Sequence, residues 1–330
     1  MRITKNKYSM LKQLLVLLIS AAAILAFYLS ADKYVFTVAN SAIIYYFCSI
    51  NVVVLLGLCG QMSFASVTFM GLGAFFAGQL AKNYAVAPWL SIILAVILTT
   101  IVSAFFGVLL LRLKGAFFVF GTIALVNMFQ VIFQNFKPLT GGPDGLYGIP
   151  KLNLFGIVFK SYQQWFWLLL ICALLTALFV KRIRDTSLGR AMMAVRDNEI
   201  AAQGMGINIY RTKLTAFILS SSLAAFGGAL LCFHNGVVSY SLFTFSVQMK
   251  FLSRAMLGGI NSIVGTAFGT ILVACLPELF RVLEQYMTLI YGIGVILMMI
   301  FMPTGLAGLW KKSISRLQQA IFKKEAEKHV

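Results

Sequence analysis

Catalysis within an apolar chain needs an acid beside a base, a metal cluster, or a nucleophile with its activating partner. None of these stands out in this sequence of 330 residues. The only histidines are His234 and His329, and no serine sits in a Gly-x-Ser-x-Gly frame. Cys48, Cys59, Cys172, Cys232 and Cys275 form no CxxC or Cys/His cluster and read as small buried hydrophobes. No Gly-Lys dipeptide occurs, which excludes a phosphate-cradling GxxxxGK(S/T) loop. We therefore expect a protein that is not an enzyme, with no catalytic or metal site and no cofactor. What the sequence offers instead is hydrogen bonding without charge. Gly60, Gln61, Ser63 and Ser66 form a break in an apolar run, where freed backbone groups are tolerated only against protein or a water-filled path. Neutral groups of this kind suit brief contact with a small zwitterion; tight helix packing through small residues is the other reading of the same break. Arg254 has no acid within helical reach, so it snorkels or faces a polar cavity, and we favour the cavity.

The elements that must position these groups follow from the apolar stretches. Hydrophobic residues make up 60% of the chain and charged residues 11%, which is too apolar for an aqueous fold. That inventory supplies roughly ten spans of about 20 residues each. Residues 13–31, 34–81, 83–111, 115–136, 161–180, 214–249, 255–277 and 285–310 contain no Asp, Glu, Lys or Arg. A Gly/Ser/Gln break over residues 57–66 divides the second stretch. Joints near residues 234–240 and 258–262 make three spans of residues 214–277. The expected fold is all-α: a polytopic integral membrane protein, residues 1–330 forming one domain of about ten transmembrane helices, compatible with two inverted five-helix halves. Basic residues ahead of an apolar run over residues 14–29 imitate a cleaved signal peptide, but we favour a retained first helix.

The 27 Lys and Arg against 9 Asp and Glu give a net charge of +18. With an even span count and the N-terminus inside, nineteen basic residues fall on the inner side, in residues 2–12, 112–114, 181–213 and the tail 311–330. Five lie outside: Lys33, Lys82, Lys137, Lys151 and Lys160. Both termini are then cytoplasmic, and the charge serves orientation and anionic lipid rather than nucleic acid. No carboxylate lies deep in the membrane, which argues against proton coupling. Asp32 and Asp144 are in outer segments, and Glu278 and Glu284 pair with Arg281 near an outer helix end. A stand-alone sodium-coupled carrier or channel, binding ions through carbonyls and hydroxyls, is the rival reading.

Residues 181–213 form a long basic inner loop. Residues 191–203 read as one amphipathic helix ended by Gly204 and Gly206, with Ala191, Ala194, Val195, Ala201 and Ala202 on or near one face. It either docks a partner through its small residues or rests on the lipid surface. Gly141-Gly142-Pro143-Asp144-Gly145 reads as an outer turn.

The run from Ser187 through Lys213 into Leu214-Thr215-Ala216-Phe217 resembles the cytoplasmic coupling loop of branched-chain amino acid ABC transporter permeases of the LivM type. Further blocks follow in that family's order: Gly60-Gln61-Met62-Ser63-Phe64 with Gly71-Leu72-Gly73-Ala74, Thr140-Gly141-Gly142-Pro143-Asp144-Gly145-Leu146, Leu257-Gly258-Gly259-Ile260-Asn261-Ser262 with Gly265, and Pro303-Thr304-Gly305-Leu306-Ala307-Gly308-Leu309. The resemblance implies a bacterial inner (cytoplasmic) membrane permease beside a sister permease of the LivH type, with two ATP-binding subunits and a periplasmic or surface amino-acid-binding protein. In that setting Arg190, Arg196, Glu199, Ala201, Ala202 and Gly204 belong to the ATPase-coupling loop, and Gly60, Gln61, Ser63, Ser66 and Arg254 to the translocation path. Gly141, Gly142 and Asp144 would meet the binding protein. The Glu-Ala-Ala signature of many importers appears here as Glu199-Ile200-Ala201-Ala202 with no Leu-Pro after it. Permeases for urea or short amides are an alternative within the same family.

Overall fold

The computed structural model describes residues 32–154, 156–279, 289, 292 and 293. The expected first and tenth spans, the Arg281 and Glu284 pairing, the block at residues 303–309 and the basic tail lie outside the described residues. Helix α1 (Lys33–Val52) continues as a π-helix (Val53–Leu58) and is followed by α2 (Ser66–Lys82), α3 (Pro88–Leu110), α4 (Ala116–Asn135) and the short α5 (Lys137–Thr140). Then come α6 (Tyr162–Asp185), α7 (Ser187–Asp197), α8 (Glu199–Gly204), α9 (Ile209–Asn235), α10 (Phe245–Gly258) and α11 (Ile263–Leu279). Among the described residues the fold is helical apart from turns and loops, a hairpin of β1 (Asn153–Leu154) and β2 (Ile157–Val158), in which Asn153 faces Val158, and one bridge between Leu146 and Val238.

Local chemistry sets the helix ends. Pro88 opens α3 where a missing N–H costs nothing, and Ser161 with Gln164 forms a capping box at the start of α6. The Asn208 side chain accepts the Arg211 N–H to start α9, which ends on Gly236 at φ 69°.

Five helices among the described residues are long and apolar enough to cross a membrane: α1 with its π-turn, α3, α4, α6 and α9. Helices α2 and α11, of 17 residues each, and α10, of 14, are shorter. At 1.5 Å per residue α2 and α10 reach about 26 and 21 Å, less than the roughly 30 Å of a hydrocarbon core. Each follows a non-α interruption, at residues 59–65 and 236–244. The interruptions sit at opposite ends of the bundle. The first lies beside α7 and the turn between α10 and α11, and the second pairs with the segment after α5 through Leu146 and Val238, whose N–H groups each bond the other's carbonyl at 2.8 Å.

Burial separates inner from peripheral helices. The apolar windows of α1 and α9 are 78% buried, while those of α3, α4 and α6 are 28–33% buried and turn Phe105, Phe120 and Leu175 outward. The inner crossing of α2 with α9 depends on absent side chains. A Cβ on Gly73 would stand 2.3 Å from the Ala225 carbonyl oxygen, and one on Gly228 would stand 1.9 Å from that of Met70. These glycines thus serve close helix packing through small residues. The edge-to-face pair of Phe69 with Phe217 adds to that interface, and Phe47 with Phe226 packs α1 against α9 in the same way. Cys48, Cys59 and Cys232 are buried free thiols, as expected, and Cys172 is half-buried.

Candidate functional site

The first interruption is held by side chains from three other elements. The π-turn leaves the Gly57 carbonyl outside the regular ladder, and Gly60 turns the chain at φ 70°. The Phe64 N–H then donates to Thr122 Oγ1 of α4 (3.1 Å), and the Ala65 N–H to Ser63 Oγ (3.2 Å). Ser66 Oγ donates to Asn51 Oδ1 of α1 (2.7 Å), while the Val67 N–H donates to Gln248 Oε1 of α10 (2.9 Å). Protein, rather than solvent, thus satisfies these freed backbone groups.

Gln61, Ser63 and Ser66 are buried and, with Asn51, form the polar wall of a crevice whose other lining is Val52, Leu55, Leu56, Met62 and Leu252. In this conformation it is too tight for a water molecule. Three amide atoms around the interruption, Asn51 Nδ2, Gln61 Oε1 and Gln248 Nε2, are buried without a hydrogen-bond partner among the described residues. Each such group costs about 1–3 kcal/mol. The shut crevice therefore carries an unmet demand for polar company. Arg254 lies outside this lining. It does not snorkel: it is buried on α10 with its guanidinium 4.5 Å from the Tyr45 ring centroid and 5.5 Å from that of Phe251.

The basic loop differs from the single helix expected over residues 191–203. It is two helices, α7 and α8, broken at Asn198, whose backbone is extended (φ −161°) and whose side chain caps α8 by accepting the Ala201 N–H at 3.0 Å. The break turns α7 inward, burying Met192 and Val195, while α8 buries Ala202. Ala201 and Gly204 are exposed, and so are the apolar Ile200 and Met205, at 84% and 82%.

Arg196 also reaches into the bundle. Its Nη1 donates to the Gly57 carbonyl (2.6 Å) and to Asn261 Oδ1 (3.1 Å), and its Nε donates to Asp197 (2.9 Å). The loop is thus tied both to the π-turn before the first interruption and to the turn joining α10 to α11. Glu199 pairs with Lys213 at the base of α9 (2.6 Å), and Arg190 donates to the Asp185 carbonyl (2.9 Å). Among the residues expected at the opposite end, Gly141 (φ 76°) and Gly142 (φ 70°) shape the turn, and Asp144 is exposed. A Cβ on Gly141 would stand 2.1 Å from the Gly145 carbonyl oxygen, so the turn requires glycine there.

The sequence reading missed Asn51, Thr122 and Gln248. Each is one of several polar residues on its helix, so nothing in the sequence singled it out. Among the described residues no three His, Cys, Asp or Glu side chains gather as a metal site.

Residues 34–303 match the family described as branched-chain amino acid transport system / permease component. The chain belongs to this family. Among its relatives is the permease protein LivM of the high-affinity branched-chain amino acid transport system of Salmonella typhimurium, 30% identical over 292 residues, covering 82% of this chain and 69% of that protein. The corresponding LivH of Escherichia coli is 27% identical over 199 residues, covering 56% of this chain and 64% of its own. The autoinducer 2 import system permease protein LsrC of Klebsiella pneumoniae is 31% identical over 180 residues, covering 54% of this permease and 49% of LsrC. No solved structure matches. The family match runs from α1 through both interruptions and the loop, so the crevice and the Arg196 ties fall inside the shared region.

Proposed function

We propose that this permease is the membrane-spanning subunit of an ATP-binding-cassette importer that translocates branched-chain amino acids. The match over residues 34–303, with LivM relatives named for that cargo, carries the reading. A sister permease of the LivH type, two ATP-binding subunits and a binding protein complete the complex in a bacterial inner membrane. The exposed Ile200 and Met205, with the small Ala201 and Gly204 between them, offer the ATP-binding subunits an apolar surface, and the end bearing Asp144 faces the binding protein.

The mechanism is alternating access. Closure of the ATP-binding subunits displaces α7 and α8, and Arg196 passes the movement to Gly57 and Asn261, beside the crevice. Two interruptions at opposite ends of the bundle, each leading into a short helix, support an arrangement in two inverted halves. Gln61, Ser63 and Ser66 contact cargo along the path, and Arg254 stabilises α10 beside it.

Reconstitution in liposomes tests the proposal. The complete set of subunits with binding protein should accumulate labelled leucine when ATP is supplied. Accumulation by this chain alone under a sodium gradient, or uptake of urea or short amides in place of leucine, would overturn it.

A further inference from the structure

The three unpartnered amide atoms surround one helix start. Asn51 and Gln248 come from different helices, yet their side-chain oxygens hold neighbouring residues of the first turn of α2, Ser66 at 2.7 Å and Val67 at 2.9 Å. Fixing each oxygen there also fixes the attached NH2 group beside the same turn. Both side chains are at most 1% exposed, and neither NH2 group has an acceptor among the described residues. Gln61, which shares the crevice with Asn51, presents the opposite polarity, an unpartnered acceptor Oε1, and is 7% exposed. The other side of the crevice is aliphatic, from Leu55, Leu56 and Leu252.

Two buried amide donors beside a helix N-terminus favour an anion of carboxylate size, because the positive end of the helix dipole adds to their pull. An acceptor nearby, among serine hydroxyls, favours an ammonium. No formal charge belongs to Asn51, Gln61 or Gln248, so a ligand with net charge would be desolvated without compensation, while a zwitterion brings its own balance.

We propose that Asn51 and Gln248 with the first turn of α2, and Gln61 opposite in sign, form a cargo subsite for a zwitterionic α-amino acid. The NH2 groups take the carboxylate, Gln61 Oε1 takes the ammonium, and the aliphatic wall takes the side chain. The subsite fills when the crevice opens and empties when it shuts to the conformation described above. This rests on the importer reading and adds to it the residues that grip the cargo head group.

The test uses the assembled complex in liposomes, with Ser63→Cys as a reporter in a background lacking the native cysteines. Millimolar leucine should slow modification of the reporter by a small thiol reagent. 3-Methylbutylamine, lacking the carboxylate, and 4-methylpentanoate, lacking the ammonium, should not. Asn51→Asp places a negative charge at the carboxylate pole and should raise the half-protecting leucine concentration by about tenfold or more. Gln248→Glu makes the same demand from another helix, and it serves where Asn51→Asp fails to reach the membrane. Gln61→Glu places the same charge at the ammonium pole and should lower that concentration. A shift in one direction for all three variants would mean a packing role and overturn the subsite. Equal protection by leucine and the two analogues would overturn it as well. If the wild-type complex imports leucine while the subsite tests fail, the subsite falls alone; a wild-type complex that imports no amino acid removes both readings.

Discussion

Replacing Arg196 with alanine removes the tie between loop and bundle without touching cargo or nucleotide. Two bonds carry that tie, to the Gly57 carbonyl at 2.6 Å and to Asn261 Oδ1 at 3.1 Å, across 139 and 65 residues of chain. A hydrogen bond from a charged donor contributes about 1.5–3 kcal/mol. The Arg196 side chain is 31% exposed, so solvent screens part of this, and about 2 kcal/mol for the pair of bonds is a fair value. That corresponds to roughly a 30-fold weaker tie. The bond to Asp197 adds little, because Asp197 is 66% exposed. If loop movement reaches the crevice through Arg196, Arg196→Ala should continue to hydrolyse ATP in the assembled complex while leucine imported per ATP falls by about tenfold or more. Arg196→Lys, a single point donor that reaches one acceptor at a time, should lie between. Asp197→Ala, which leaves both ties in place, should stay near wild type. The assay follows labelled leucine and released phosphate in the same liposomes. An import-to-hydrolysis ratio in Arg196→Ala within roughly twofold of wild type, in protein of unchanged thermal stability, would refute the transmission argument.

Single cysteines replacing Glu199 and Asp144, in a background free of the native cysteines, should label from opposite membrane faces, since α9 runs between the two ends; labelling from one face would defeat the proposed orientation. Ala201→Trp and Gly204→Trp should abolish import while the permease still inserts, because Ala201 is exposed and a Cβ on Gly204 meets nothing within 4 Å; unchanged uptake would make α8 a lipid-surface helix. Gly228→Ala should lower thermal stability by about 1–3 kcal/mol or more, because a Cβ 1.9 Å from the Met70 carbonyl oxygen forces two backbones apart, and Gly204→Ala is the matched control. Equal melting behaviour of those two variants would show that α2 and α9 cross less tightly than described.

The helix joints near residues 234–240 and 258–262 were legible because Gly236, Gly258 and Gly259 with neighbouring polar residues cannot continue an apolar helix. The split at Asn198 was legible in principle: an asparagine three residues before a backbone N–H that it can accept is an N-cap, but the alanine spacing on either side suggested one continuous face. The inward aim of Arg196 was not, because a guanidinium in a basic loop looks the same whether it meets lipid, a partner or a carbonyl 139 residues away. Gln248 was hidden for the same reason, since its oxygen meets a backbone N–H 181 residues earlier in the chain. Gly60, Gln61, Ser63 and Ser66 announced an interruption through composition alone. Only the fold shows that Asn51, Thr122 and Gln248 hold it together.

The crossing of α2 with α9 has a consequence for how the molecule is made. Both faces of that contact are bare backbone at Gly73 and Gly228, and α1, equally buried, leans on the same late helix. A ribosome adding about 5–20 residues per second exposes α2 to the bilayer on the order of ten seconds before α9 follows. Through that interval Asn51 sits on a helix, and Gln61 in the interruption that follows it, while the later partner helix has not been synthesised. Membrane insertion must therefore precede assembly, with the early helices held apart from lipid or tolerated in it until residue 235 is complete. A nascent fragment ending before α9 would leave the glycine face and the amides open, and such a surface is what membrane proteases and insertion chaperones can distinguish from a finished permease.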